Sequence, residues 1–161
     1  TVLKAESVIN NDQPLMIANS DQYIDCDINK YLTSMDSQNL DGLIMTMWAD
    51  DPKWSFVEIN ESSFVTRVVE KEVISNEATV GIYNFRRGSD FVQAANEMIQ
   101  REERVNGEYY VAPAYNTLIR HGHLIGIHNI GREAHGMYGL GIPSDLDIFL
   151  RLPLSFQFKI N

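Results

Sequence analysis

Apolar and polar positions along this chain follow two periods, and each switch between them marks the edge of an element. Leu3, Ala5, Val8 and Ile9 fall roughly on one side of an opening helix that Asn10 and Asn11 stop. Leu15-Met16-Ile17-Ala18 is a continuous apolar run closed by Asn19, Ser20 and Asp21, the pattern of a short strand covered on both faces. Helical spacing returns at Ile28, Tyr31, Leu32 and Met35, with Asp27 placed to cap that helix. Residues 43–48 form the next buried strand, and Asp50-Asp51-Pro52 makes a turn after it. Residues 55–59 and 64–69 read as two strands joined by Asn60-Glu61-Ser62-Ser63, a polar loop of hairpin length. Residues 79–85 are a further strand, rich in β-branched and aromatic side chains, with Gly81 inside it. Glycine weakens a strand unless something must come close to the backbone, so Gly81 points either to a ligand lying there or to a bulge.

Ser89 or Asp90 starts the longest helical pattern, with Phe91, Ala94, Ala95, Met98 and Ile99 in one core-facing stripe and Asn106-Gly107 as its stop. A short helix follows over 114–120, ended by Gly122, and then a strand over 124–128. The glycine-rich residues 136–143 read as a flexible loop leading into a helix. Ser144 is its predicted cap, Asp147 takes the capping-box position, and Leu146, Phe149 and Leu150 face inward.

A length of 161 residues suits one domain, and 44% hydrophobic with 22% charged side chains marks it as globular. Thirteen basic against twenty-two acidic residues give a net charge of −9, which argues against broad contact with nucleic acid or anionic lipid. A local phosphate site survives that argument, because one lysine and a metal ion suffice to create it. Cys26 is the only cysteine, so an internal disulfide is ruled out and a reducing cytoplasm is expected. No signal peptide is recognisable, and the longest apolar run, residues 43–48, is far too short to cross a membrane. A chain that opens inside a helix is expected to be the carboxyl-terminal portion of a longer protein.

Among groups that carry chemistry, Asp21 stands out because it falls just past the end of a strand. In open α/β sheets that rim gathers ligands, and a carboxylate there suits Mg²⁺ and its phosphate partners; the alternative is that Asp21 only begins a turn. Asp25 and Asp27 also match the Asp-x-Asp metal motif of nucleotide-sugar glycosyltransferases, but the helical spacing that begins straight after Asp27 favours a cap. His121, His123 and His128 lack the number and spacing of ligands that zinc sites need. Gly136, Gly139 and Gly141 do not have dinucleotide-binding spacing.

Four separated segments then fall into one pattern. Ala18-Asn19-Ser20-Asp21, Val69-Glu70-Lys71, Val80-Gly81-Ile82-Tyr83-Asn84-Phe85 and Gly139-Leu140-Gly141-Ile142-Pro143-Ser144-Asp145-Leu146, in this order, resemble bacterial sugar-1-phosphate nucleotidyltransferases of the capsule and lipopolysaccharide type. Glu108-Tyr109-Tyr110 occupies the place of a Gly-Glu element that this family often has near its sugar pocket. The resemblance implies a Rossmann-like mixed sheet flanked by helices, of the nucleotide-diphospho-sugar transferase type. It also implies Mg²⁺-assisted transfer, in which a sugar 1-phosphate attacks a nucleoside triphosphate and pyrophosphate leaves. Asp21 would then hold the metal, Lys71 would meet the sugar phosphate, and Glu70 would accept hydrogen bonds from sugar hydroxyls. Gly81 would let the sugar lie against the strand, and Tyr83, Glu108 and Tyr110 would complete the sugar side. Relatives usually carry a second metal-binding aspartate where this chain has Gly139, which implies that Asp145 or a water takes over part of that role, or that the metal is held more weakly, or that the site is degenerate. The family's glycine-rich nucleotide loop would precede residue 1. The implied partners are a sugar 1-phosphate and a nucleoside triphosphate, with no nucleic acid and no membrane, and homo-oligomerisation is left open. Two other readings stand beside this one: a non-catalytic sugar-phosphate-binding or regulatory module, and a metal-dependent glycosyltransferase using Asp25 and Asp27.

Overall fold

A computed structural model describes residues 1–158. Strands β1 (Leu15–Ala18), β2 (Gln22–Ile24), β3 (Gly42–Trp48), β4 (Ser55–Ile59), β5 (Val65–Glu70), β6 (Glu77–Phe85), β7 (Ile125–Glu133) and β8 (Gly136–Gly139) form one mixed sheet. Its order is β2-β8-β7-β3-β6-β4-β5, with β1 paired to β6 as well. Helices α1 (Glu6–Ile9), α2 (Ile28–Ser37), α3 (Gly88–Gln100), α4 (Ala114–Arg120) and α5 (Pro143–Leu150) accompany it, with 3-10 turns at Val2–Ala5 and Pro153–Phe158. The expected mixed-sheet α/β architecture is therefore the observed one.

Strand β3 lies at the centre of the sheet and is buried on both faces, as its unbroken apolar run requires. Leu43, Met45 and Met47 join Tyr31 and Met35 of α2 in one core, while Ile44 joins Phe85, Phe91 and Tyr115 under α3 and α4 in the other. Phe85 stacks on Tyr115 with ring centres 4.6 Å apart and meets Phe91 at 5.0 Å. The buried hydroxyls find backbone acceptors: Tyr115 donates to the Asn84 carbonyl at 2.8 Å and Tyr31 to that of Leu43 at 2.9 Å.

Asp27 caps α2, its Oδ1 accepting the backbone N–H groups of Asn29 and Lys30 at 3.0 and 3.4 Å. Asp27→Ala is expected to cost about 1 kcal/mol, read as a lower urea midpoint, whereas Asp25→Ala should leave that midpoint in place. A midpoint that does not move in Asp27→Ala contradicts the cap.

Several local expectations are corrected. β1 is not covered on both faces: Leu15 and Ile17 are half-buried while Met16 and Ala18 are exposed, so the run alternates after all. In the opening helix Val2, Leu3 and Ile9 pack inward, and Ala5 and Val8 point to solvent. On α2 only Tyr31 and Met35 are buried; Ile28 and Leu32 are exposed. α3 stops at Gln100, before Asn106-Gly107, because the chain turns at Glu102 with a φ of 54°, and Ile99 lies on the exposed side. Strand β7 runs on to Glu133, and residues 136–139 are strand rather than flexible loop. α5 is started by Pro143, whose fixed φ suits the first helical turn, so its cap position falls on Ile142 and Ser144 lies inside the helix. Of the three side chains expected to face inward there, Phe149 is buried, and Leu146 and Leu150 are exposed. Among the described residues no helix is long and apolar enough to cross a membrane.

Candidate functional site

Two strands share one edge of β6, and a cavity opens in the fork between them. β1 pairs with the carboxyl-terminal half of β6, from Ala18 opposite Ile82 to Leu15 opposite Phe85, whereas β4 meets β6 at Phe56 opposite Ala78. Gly81 lies between the two. On the opposite edge Ile44 pairs with Tyr83 and Thr46 with Thr79, so Val80, Gly81 and Ile82 bulge against Met45 alone. Gly81 has a φ of 73°, and a Cβ on it would begin 2.2 Å from Nδ2 of Asn19. The bulge reading of this glycine holds, and the group that lies against it in this structure is the Asn19 side chain. The Asn19 N–H donates to the Gly81 carbonyl at 2.9 Å, and Gln22 Nε2 donates to that of Val80 at 2.5 Å.

The cavity measures about 470 Å³. Asn19, Ser55, Glu70, Thr79 and Tyr83 give it a polar wall, and Phe91, Ala95 and Met98 of α3 face it with an apolar one. Hairpin register sets Ser55 opposite Glu70, and the Ser55 hydroxyl donates to Glu70 Oε2. Tyr83 shares a hydrogen bond with Thr79 at 2.9 Å. Burial pushes the Tyr83 phenol up to about 12, against the Thr79 hydrogen bond and with help from the Glu70 charge. Near neutral pH Tyr83 is thus a neutral hydroxyl beside an acceptor carboxylate.

Lys71 holds a left-handed backbone, φ 58°, and its N–H donates to the Trp54 carbonyl at 3.0 Å. Its Nζ donates to the Tyr110 hydroxyl at 3.0 Å and lies 5.1 Å from that ring's centre, and Tyr110 in turn donates to Glu108 Oε2 at 2.9 Å. The Tyr110 hydrogen bond, then the nearby Glu70 and Glu108 carboxylates, hold the lysine above its usual pKa, so it stays charged. Glu70, Gly81, Tyr83 and Tyr110 accordingly line one cavity, and Lys71 and Glu108 are tied to it through Tyr110.

Asp21 and Asp145 lie elsewhere, against one short glycine loop. The Asp21 carbonyl accepts the Leu140 N–H at 2.8 Å, and its Oδ2 lies 2.6 Å from where a Cβ on Gly141 would begin. Asp145 Oδ2 lies 3.1 Å from the corresponding point on Gly139. Two carboxylates from different elements thus rest on Gly139-Leu140-Gly141, which has room for them because it carries no side chain at either glycine. Asp145 also lines a second cavity, of about 350 Å³, with Glu133, Tyr138 and Phe149. Asn19 and Gln22 flank Asp21 and both bond to the bulge of β6, so a single turn links the carboxylate corner to the larger cavity. Among the described residues no three acidic, histidine or cysteine side chains converge as a metal group. Asp21 and Asp145 are the carboxylates at this loop that could hold an ion, and water and phosphate oxygens would have to fill most of its shell, as Mg²⁺ tolerates.

The histidines go to separate places. His121 Nε2 is 3.1 Å from Glu97, His123 Nδ1 is 3.7 Å from Asp41, and His128 stands edge-on to Tyr31. Ser55, Thr79 and Lys53 also line the cavity, and no sequence motif points to them. Counting the hairpin back from the Ile59–Val65 pair at its loop would have set Ser55 opposite Val69; the bulge between Glu58 and Ile59, which the sequence does not signal, shifts it to Glu70.

No protein-family model matches the chain, and no curated protein matches it. Solved structures do. A nucleoside-diphosphate-sugar pyrophosphorylase from Vibrio cholerae RC9 superposes with a TM-score of 0.74 at 29% identity, over 93% of this chain and 60% of that one. A protein assigned as a glucose-1-phosphate thymidylyltransferase from Bacillus anthracis, in complex with a sucrose, gives 0.70 at 17% identity, over 99% and 60%. The UTP-bound UGPase from Acinetobacter baumannii gives 0.70 at 15% identity, over 98% and 58%. The chain spans about 60% of the length of these neighbours. They are sugar nucleotidyltransferases, and the fold they share with this chain is the nucleotide-diphospho-sugar transferase fold.

Proposed function

We propose that this chain carries the sugar-phosphate side of a sugar-1-phosphate nucleotidyltransferase. The observation that carries this reading is the cavity in the β6 fork. Its polar wall offers acceptors and donors suited to a polyhydroxylated ligand, a lysine is fixed at its rim, and the turn that closes it leads directly to two carboxylates. Glu70 would accept from sugar hydroxyls, Tyr83 and Tyr110 would bound the sugar, Gly81 would keep the bulged strand clear of a side chain, and Lys71 would meet the phosphate as a compact positive charge.

In the reaction a phosphate oxygen of the sugar attacks the α-phosphorus of a nucleoside triphosphate in line. One phosphorus–oxygen bond forms while the bond to pyrophosphate breaks. Little covalent work falls to the protein, which must align the two groups and offset their charge. Asp21 and Asp145 would hold Mg²⁺, which when bound supplies positive charge to the phosphates. The glycine loop fits that role, because a side chain at either glycine would crowd the carboxylate beside it. The setting proposed is nucleotide-sugar supply for polysaccharide synthesis in the cytoplasm.

Calorimetry with glucose 1-phosphate and with other hexose 1-phosphates tests the reading, run with and without Mg²⁺ and a nucleoside triphosphate. At least one hexose 1-phosphate should bind when the parent hexose does not. Binding by none of them sinks the proposal, and binding that ignores Mg²⁺ and the triphosphate points instead to a non-catalytic module.

A further inference from the structure

Lys53 joins the two cavities, and neither the motifs nor the proposed reaction uses it. It is the one lysine or arginine on the wall of the larger cavity among the described residues. Its Nζ lies 5.0 Å over the Trp54 ring, 3.2 Å from Glu133 Oε1 and 3.8 Å from Asp51 Oδ2. Glu133 lines the second cavity together with Asp145. One flexible side chain therefore reaches from the sugar side to the neighbourhood of the carboxylate corner.

We propose that Lys53 is a second phosphate-binding cation, which exchanges its carboxylate partner Glu133 for the phosphate of a sugar 1-phosphate; this rests on the function proposed above. A sugar whose hydroxyls lie on Glu70 and whose phosphate turns toward Asp21 and Asp145 must place that phosphate at the boundary between the cavities. The surroundings there are acidic: Asp51, Glu70, Glu133 and Asp145 adjoin the two cavities or Lys53 itself, in a chain of net charge −9. An incoming dianion needs local positive charge to overcome that field. Lys71 supplies one such charge, but its Nζ is engaged with Tyr110. Lys53 can supply another at small cost. Its side chain and that of Glu133 are each about half exposed, 49% and 47%, and ion pairs in that setting contribute little, so a phosphate can displace the carboxylate. The β4–β5 ladder brings the two lysines to the same end: Ser55 pairs with Glu70, and the Lys71 N–H bonds the Trp54 carbonyl.

Glu133 is thus a competitor of the ligand, which gives the proposal a signature that ordinary surface pairing lacks. Glucose 1-phosphate is titrated calorimetrically into the whole chain and into Lys53→Gln, Glu133→Gln and the double variant, with glucose as the neutral control and at low and high salt. Lys53→Gln should bind glucose 1-phosphate about tenfold more weakly, as loss of a charge-assisted hydrogen bond predicts, and the deficit should shrink in high salt. Glu133→Gln should bind it about threefold more tightly, and that gain should vanish when Lys53 is also replaced. Equal binding by wild type and Lys53→Gln, or a gain in Glu133→Gln that persists without Lys53, overturns the role of Lys53 alone. Failure of the wild type to bind any hexose 1-phosphate overturns this inference and the proposed function together.

Discussion

Gly81→Val is expected to destabilise the protein by about 3 kcal/mol and to weaken glucose 1-phosphate binding by about tenfold or more. Two separable costs add up. A φ of 73° is a left-handed conformation that a β-branched residue adopts only under strain, worth about 1–2 kcal/mol. A new side chain must also enter a buried fork where Nδ2 and Cγ of Asn19 lie 2.2 and 2.6 Å from its first carbon. Overpacking of this kind costs about 1–3 kcal/mol. Asn19 can move only in its side chain, because its N–H is tied to the Gly81 carbonyl, so the displaced amide leaves the polar wall of the cavity. For a chain of 161 residues the melting temperature should fall by about 10 °C. Asn19→Gly in a Gly81→Ala background should recover the steric part and leave the backbone part. A Gly81→Val protein that melts with the wild type would show that neither cost is real.

The parts of this fold that the sequence shows plainly are those whose signals are local. The unbroken apolar run of β3, the polar four-residue loop between β4 and β5, the helical spacing of α4 and the carboxylate of Asp27 each decide their own neighbourhood. β2 and β8 were not legible, because strands of three and four residues carry almost no periodicity. They exist through each other: Tyr23 pairs with Tyr138 and Ile24 with Met137, and Phe149 of α5 closes an aromatic cluster over both tyrosines. β1 misled because four apolar residues in a row look the same whether one face is covered or two. The end of α3 at Gln100 is silent in the sequence because neither glycine nor proline marks it.

The site divides in the same way. Glu70 and Lys71 are adjacent in sequence, and Gly81 announces itself by sitting inside a strand, so short motifs find them. That Tyr110 clasps Lys71 follows from neither motif; it depends on how the segment after α3 folds back across the end of β5. Gly139 stands where relatives usually carry a metal-binding aspartate, and in the structure a side chain there would begin 3.1 Å from Asp145 Oδ2.

Asp21→Asn is expected to lower Mg²⁺-dependent nucleotidyl transfer by about 10²–10³-fold while changing metal-free glucose 1-phosphate binding by less than about twofold. The substitution keeps the shape and hydrogen-bonding reach of the side chain and removes only its charge. The fold should tolerate it, because Asp21 is exposed and its structural bond to Leu140 is made by the backbone carbonyl. Binding of the sugar phosphate in the larger cavity, as proposed, should tolerate it as well, because Asp21 does not line that cavity. What is lost is a hard anionic oxygen that competes for Mg²⁺ against water, and an amide oxygen does this poorly. Asp145→Asn should act in the same direction, and the two substitutions together should cost less than the sum of their separate costs if both carboxylates serve one ion. The measurement is pyrophosphate release from a panel of nucleoside triphosphates at several Mg²⁺ concentrations, paired with Mn²⁺ binding followed by electron paramagnetic resonance. A wild-type requirement for the metal that survives intact in Asp21→Asn would remove this carboxylate from the reaction. If Asp27→Ala were the variant that abolished Mn²⁺ binding, the metal would belong to the start of α2, where the carboxylate now caps a helix, and the glycosyltransferase reading would take over.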